Sequence, residues 1–246
     1  MPYVPAAFLI QTALEQEFQA ITSVMTRDAS PGRRLVTGCI GDRRCGVIKT
    51  GIGQSRARRE LIQALASIER PALILSIGLA GALAPHQQQG EKFVIQSVGL
   101  SGSEPRLVPA ALHCLAPGYV QSARRATLLT LDQPALTPAS KAALARASAA
   151  ELCDMETHAV AMVATENGLP WLGARIVSDS AQETLKPWLV RLPALIEGGK
   201  WLALAGQLGT HPQDLPRLIG LAYRMRNLQR QLSQFIVEFI VNVVEP

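Results

Sequence analysis

Short apolar runs of strand length alternate with segments of helical period from the first residues to about position 180, and this alternation limits the fold more than any other feature. It predicts a largely buried mixed or parallel sheet covered by helices, an α/β fold of three layers, α/β/α. Residues 6–10 read as the first strand, followed by a helix from about Leu14. Residues 35–40 and 45–49 flank Gly41-Asp42 and read as a hairpin. Residues 54–68 are helical, with Leu61, Ile62, Leu65 and Ile68 on one face, and Pro71 follows their end. Further strands are expected at 73–77, 93–98, 127–131 and 171–177, and further helices at 138–149 and 156–167. Residues 186–200, bearing glycine and proline, read as a loop.

There is no internal repeat, low-complexity tract or clear linker, so one domain over residues 1–246 is the simplest organisation. The tail, about 213–243, reads as one amphipathic helix. Leu218, Leu221, Met225, Leu228, Leu232, Phe235, Phe239 and Val243 form its apolar stripe, with Arg217, Arg224, Arg226 and Arg230 mostly off it. Such a helix packs on a core with a solvated basic face, or lies on an anionic membrane surface. Charged residues make up only 17% against 48% hydrophobic, which points to extensive buried surface from subunit contacts or an apolar ligand. A net charge of +5 suits nucleic acid, a membrane surface or a phosphorylated substrate, but aromatics are only 4%, which disfavours nucleic acid. Cys39, Cys45, Cys114 and Cys153 lack metal-ligand spacing and read as reduced thiols of a cytoplasmic protein. The N-terminus has no basic lead-in of a signal peptide, and the apolar run at 72–84 is too short to span a bilayer.

Three acidic residues fall near strand ends, where α/β folds place their sites. Glu17 lies in Ala13-Leu14-Glu15-Gln16-Glu17, Glu156 in Cys153-Asp154-Met155-Glu156-Thr157-His158, and Asp179 in Arg175-Ile176-Val177-Ser178-Asp179. Each has a plain alternative: a solvated helix position for Glu17, a first-turn carboxylate for Glu156, and an N-cap for Asp179. Gly51-Ile52-Gly53 turns backbone N–H groups toward an anion or a sugar, or simply makes a tight turn. Gly78-Leu79-Ala80-Gly81 lets a ligand approach the backbone, or serves close packing. His86, His113 and His211 are isolated, and His158 faces another side of its helix from Glu156, so neither a metal site nor a cofactor is expected. The chain has no GxSxG elbow, which disfavours a serine hydrolase.

The order of these segments resembles the purine and uridine phosphorylase superfamily, over about residues 6–181. The segments are Ala-Leu-Glu-Gln-Glu-Phe after the first strand, Thr50-Gly51-Ile52-Gly53, Ser76 to Pro85 with Gly90-Glu91, Asp154 to Ala161, and Arg175 to Asp179. Within it the chain is similar to the methylthioadenosine/S-adenosylhomocysteine nucleosidases. Asp-Met-Glu-Thr-His-Ala-Val-Ala, Leu215-Pro216-Arg217-Leu218 and the arginine-rich last helix resemble the hopanoid-associated phosphorylases, the adenosylhopane nucleosidases. The resemblance implies cleavage of the N-glycosidic bond of a purine nucleoside. Asp179 would protonate N7 of the departing base. Glu156 would bind the ribose hydroxyls, with Met155 against the sugar and Gly53 and Ser178 lining the same site. Glu17 would align or deprotonate the attacking water, helped by Arg175.

Two departures from the family stand out. The nucleosidases carry a serine where this chain has Leu79. The hexameric phosphorylases carry arginine at the position of Ser76, and serine at that of Leu79, for phosphate. A phosphorolytic route, with inorganic phosphate as co-substrate, would need another cation, and Arg56, Arg58 and Arg175 are the candidates. Leu79 otherwise suits a bulky apolar substituent, such as a hopane. The implied partners are a small or lipid-linked adenosine, a second subunit in a homodimer, and a peripheral contact with the inner membrane surface. Alternatives are a methylthioadenosine/S-adenosylhomocysteine-type nucleosidase, a salvage phosphorylase, and a non-catalytic nucleoside-binding protein.

Overall fold

Alternate residues of the central strands pack into two different cores, which is what makes them a buried sheet. Phe8, Ile10, Leu73, Leu75, Ile77, Leu172, Ala174 and Ile176 face one side. Leu9, Ile74, Trp171 and Val177 face the other. The structure is a computed structural model, and it describes residues 7–28, 35–102, 107–186 and 215–243, with backbone only at 215–219, 221 and 222. The expected loop at 186–200 lies outside the described residues, apart from Lys186.

The order is β1 (Phe8–Thr12), α1 (Glu15–Thr22), β2 (Thr26–Arg27), β3 (Leu35–Ile40), β4 (Arg43–Lys49), α2 (Gln54–Leu65), β5 (Leu73–Ala82) and β6 (Lys92–Leu100). Then follow β7 (Val108–Pro109), a 3-10 turn, α3 (Pro117–Ser122), β8 (Arg125–Thr130), α4 (Pro138–Ser148), β9 (Leu152–Asp154), α5 (Thr157–Glu166), β10 (Trp171–Asp179) and α6 (Leu215–Val241). Strands β4, β1, β5 and β10 run parallel in that spatial order. Strand β10 pairs antiparallel with β6, β6 parallel with β8, and β8 parallel with β9. Strand β9 then returns to β5 by antiparallel pairing of Gly81 with Cys153 and Ala82 with Leu152. Five strands therefore close into a ring, while β1, β4, β3 and β2 extend it as an open mixed sheet.

Helices α1 and α6 cover one face, and α2 and α5 the other, giving the three layers that the alternation predicts. From Leu228 onward the apolar stripe of the tail is core. Leu228, Leu232, Phe235, Phe239 and Val243 are all buried, and Ser233 hydrogen-bonds Ala20 of α1. That packing takes up this part of the stripe, which a membrane-surface helix would present. Off the stripe, Arg224 pairs with Glu183 at 2.5 Å, and Arg226 and Arg230 are exposed.

The hairpin β3–β4 and most strand positions match the expectation, with three differences that matter for the site. Gly78–Gly81, expected after a strand, is its continuation, since β5 runs on to Ala82. Asp179, expected beyond its strand, is the last residue of β10. The helix expected at 54–68 stops at Leu65. No described helix is long and apolar enough to cross a membrane.

Candidate active site

Two glycines in β5, Gly78 and Gly81, leave room for side chains from neighbouring elements, which occupy the space a Cβ would take. A Cβ on Gly78 would lie 2.6 Å from Glu17 Oε1, and one on Gly81 3.2 Å from Asp179 Oδ2. Two of the three suspected acids thus sit over the same strand, three residues apart. Glu17 is buried at the N3 position of α1, and its carboxylate collects three backbone donors. The Ala13 and Leu14 N–H groups reach Oε2 at 2.9 and 2.8 Å, and the Leu79 N–H reaches Oε1 at 2.8 Å. Burial pushes its pKa up, against those N–H groups and the charge of Arg175.

Glu156 is the N-cap residue of α5, and its Oε1 accepts the Gly53 N–H at 2.7 Å. Gly53 caps α2 with φ of +98°, in the left-handed half of backbone space that glycine adopts without strain, and this aims its N–H at the carboxyl. Burial, then the Asp154 charge, pushes Glu156 up to about 8. The Gly53 N–H lowers it, the Glu17 charge raises it, and Arg175 lowers it. Glu17, Glu156 and Arg175 therefore share one electrostatic neighbourhood. Met155, half-buried, sits in the turn between β9 and Glu156.

Asp179 is reached across a register break between Val177 and Asp179, a bulge that places Asp179 beside Gly81. Its Oδ1 lies 2.5 Å from the Ser178 hydroxyl, and its Oδ2 accepts from Lys141 Nζ at 2.5 Å. Lys141 was not among the residues suspected from the sequence. It is fully buried and also donates to the carbonyls of Ser180 at 2.6 Å and Glu183 at 3.3 Å.

Arg175, expected to help Glu17, is itself held by a network of buried acceptors. Its guanidinium bonds the Ser76 carbonyl at 2.6 Å, the Ser76 hydroxyl at 2.7 Å, Asp154 at 3.0 Å, the Ala174 carbonyl at 2.8 Å and the Thr157 hydroxyl. It acts on Glu17 through its charge. This buried Arg175–Asp154 pair also escaped the sequence reading, although an arginine and an aspartate inside apolar strand runs were the signal. Of the three cations considered for phosphate, Arg58 pairs with Glu166 at 2.7 Å and Arg175 is engaged as above. Arg56 is exposed, with its stem beside Gly51.

Leu79 is half-buried, and with Gln16, Glu17, Met225, Leu228 and Leu232 it lines a small cavity, so α6 forms an apolar wall next to Glu17. A wider concavity, about 440 Å³, lies elsewhere, between Leu65, Ile68, Arg70, Asn167 and Leu169. It sits at the amino ends of β5 and β10, opposite the end where parallel sheets bind ligands, and contains none of the buried acids. Among the described residues no group of His, Cys, Asp and Glu is arranged to hold a metal.

A family model described as the phosphorylase superfamily matches residues 7–193. The chain belongs to the phosphorylase superfamily. Its fold is shared with the futalosine hydrolase of Helicobacter pylori strain 26695, at TM-score 0.70 and 14% identity, covering 97% of this chain and 98% of that one. It is shared too with a putative 5′-methylthioadenosine/S-adenosylhomocysteine nucleosidase from Borrelia burgdorferi B31 bound to adenine, at TM-score 0.71 and 16% identity, covering 95% and 99%. The nucleosidase of the same description from Campylobacter jejuni aligns at TM-score 0.67 and 16% identity, covering 96% and 99%. No curated protein matches the sequence.

The raised pKa of Glu156 has a measurable consequence. Its folded value, about 8, lies above the ordinary 4.5, so the folded state holds this proton between those values while the unfolded chain has lost it. Stability from this group is full below about pH 4.5 and is lost as pH rises through 8. Glu156→Gln keeps an oxygen for the Gly53 N–H and carries no charge. Its melting temperature should track the parent at pH 4–5 and exceed it by several degrees at pH 9. A difference that stays constant with pH would show that burial does not govern this carboxyl.

Proposed function

We propose that this phosphorylase-superfamily protein cleaves the N-glycosidic bond of a purine nucleoside. The observation that carries the reading is that Glu17, Glu156 and Asp179 are each buried, and each is set against a glycine backbone at one end of the sheet. Asp179 donates its proton to N7 of the base as the glycosidic electron pair moves onto the purine. Glu156 binds the ribose hydroxyls, Met155 packs on the sugar, and Gly53 and Ser178 hold these acids in place. Water held by Glu17 then attacks the anomeric carbon, and its proton leaves to solvent. The sugar is cation-like at the transition state, so a carboxyl with a high resting pKa gains most from ionising beside it. Glu156 fits that part.

The finer reading is an adenosine whose 5′ carbon bears a large apolar group, as in adenosylhopane. Leu79 in place of a polar residue, and the apolar side chains of α6 beside Glu17, support it. A lipid-linked substrate would bring the chain to an anionic bilayer surface, where exposed Arg226 and Arg230 supply charge. Adenine release should be measured from an adenosylated triterpenoid and from methylthioadenosine, each with and without phosphate, together with salt-sensitive pelleting on anionic vesicles. Triterpenoid turnover at least tenfold faster, and independent of phosphate, is expected. Equal turnover of methylthioadenosine would make it a nucleosidase of that type, phosphate dependence a salvage phosphorylase, and binding without release a nucleoside-binding protein.

A further inference from the structure

Helix α4 is eleven residues long, and the residue it buries is not apolar but Lys141. A lysine in that position costs desolvation without adding to the core, so its worth lies in its head group. Nζ faces three acceptors: Asp179 Oδ2, the Ser180 carbonyl and the Glu183 carbonyl. A neutral amine has two hydrogens and an ammonium has three, so only the charged form satisfies the whole set. The second oxygen of Asp179 meets a different partner. The Ser178 hydroxyl lies 2.5 Å from Oδ1 and 3.1 Å from the Ala80 carbonyl. A carbonyl can only accept, and Ser178 has one hydrogen. With Oδ1 protonated, Asp179 donates to Ser178, which donates to Ala80. With Asp179 ionised, the hydroxyl can turn its hydrogen to Oδ1 instead.

We propose that Lys141 is a positioning residue for the acid: it occupies Oδ2, leaves Oδ1 to carry the proton given to the base, and neutralises the carboxylate that remains. The proposal rests on the nucleoside-cleaving reading. The proton passes from Oδ1 to the base as the glycosidic pair departs, Asp179 is left as a carboxylate against the ammonium, and solvent restores its proton after the base leaves. The other groups around Asp179 do not compete for this part. Burial pushes the Cys153 thiol beside Gly81 up to about 12, so it stays neutral. Asp154 is committed to Arg175, and the Glu183 carboxylate to Arg224.

The test is the pH profile of kcat/KM, which reports the free enzyme's acid. Removing a cation in direct contact raises a carboxyl by about one to three pH units. Lys141→Met should therefore move the alkaline limb up by at least one unit and lower kcat tenfold or more, with KM little changed. Lys141→Arg should return the limb to within half a unit of the parent. An unmoved limb in a folded Lys141→Met protein overturns the proposal. Should that variant not fold, or should no base be released by the parent, nitrogen-15 spectra of lysine side chains decide independently of activity. A protected Lys141 ammonium signal that shifts in Asp179→Asn is expected, and its absence, or no shift, overturns the assignment.

Discussion

Asp179→Asn should lower kcat by about 10²- to 10⁴-fold, the range for losing a positioned general acid. The amide keeps the shape of the carboxyl. Its oxygen can still accept from Lys141, and its NH2 can donate to Ser178, which in turn donates to the Ala80 carbonyl. What it lacks is a transferable proton and a negative charge. The second loss removes the counter-charge that the ionised form of Asp179 gives the buried ammonium. Breaking a buried pair costs about 3–5 kcal/mol, less here because an oxygen remains as acceptor and the protonated form carries no charge to lose. Activity should thus fall further than folding does. Steady-state base release and thermal unfolding measure the two effects separately, and a folded variant retaining a third of parental activity would remove Asp179 from the chemistry.

Glu17→Gln should be nearly as damaging for a different reason. Three N–H groups converge on the carboxylate, and an amide offers an acceptor to only one side of that array. The oxygen will keep the paired Ala13 and Leu14 donors, which turns the NH2 toward the Leu79 N–H. A buried backbone donor then faces another donor, at a cost of about 1–3 kcal/mol. Loss of the group that aligns water should reduce kcat by about 10²-fold or more. Crystallography of the variant should find the Leu79 peptide displaced. Unchanged turnover with an unmoved Leu79 would place the nucleophile's partner elsewhere.

The layers and the approximate positions of the three acids were legible because they depend on local pattern. Apolar alternation marks a strand wherever its partners lie, and an acid beside a strand end is visible in one dimension. Ring closure was not, since it requires β9 to pair with β5 some seventy residues earlier, and no periodicity encodes a partner. Lys141 was hidden for another reason. A lysine on an alanine-rich helix has the appearance of a solvated position, and its burial is decided by an aspartate 38 residues downstream. The glycines of β5 read as lying beyond the strand, because a glycine's usual meaning is a turn. Here they are smooth strand, kept bare so that carboxyl groups can lie against the backbone.

Every strand in the closed ring has neighbours on both sides, and β10 and β9, which deliver Asp179 and lead into Glu156, both hydrogen-bond to β5. The spacing between Asp179 and Glu156, the proposed proton donor and sugar clamp, is thereby set by ladder rungs that cannot slide singly, whereas Glu17 arrives on a helix whose outer wall is α6. Variation in what the protein accepts should accumulate on that helical flank, where side chains can be exchanged without disturbing the separation of Asp179 and Glu156.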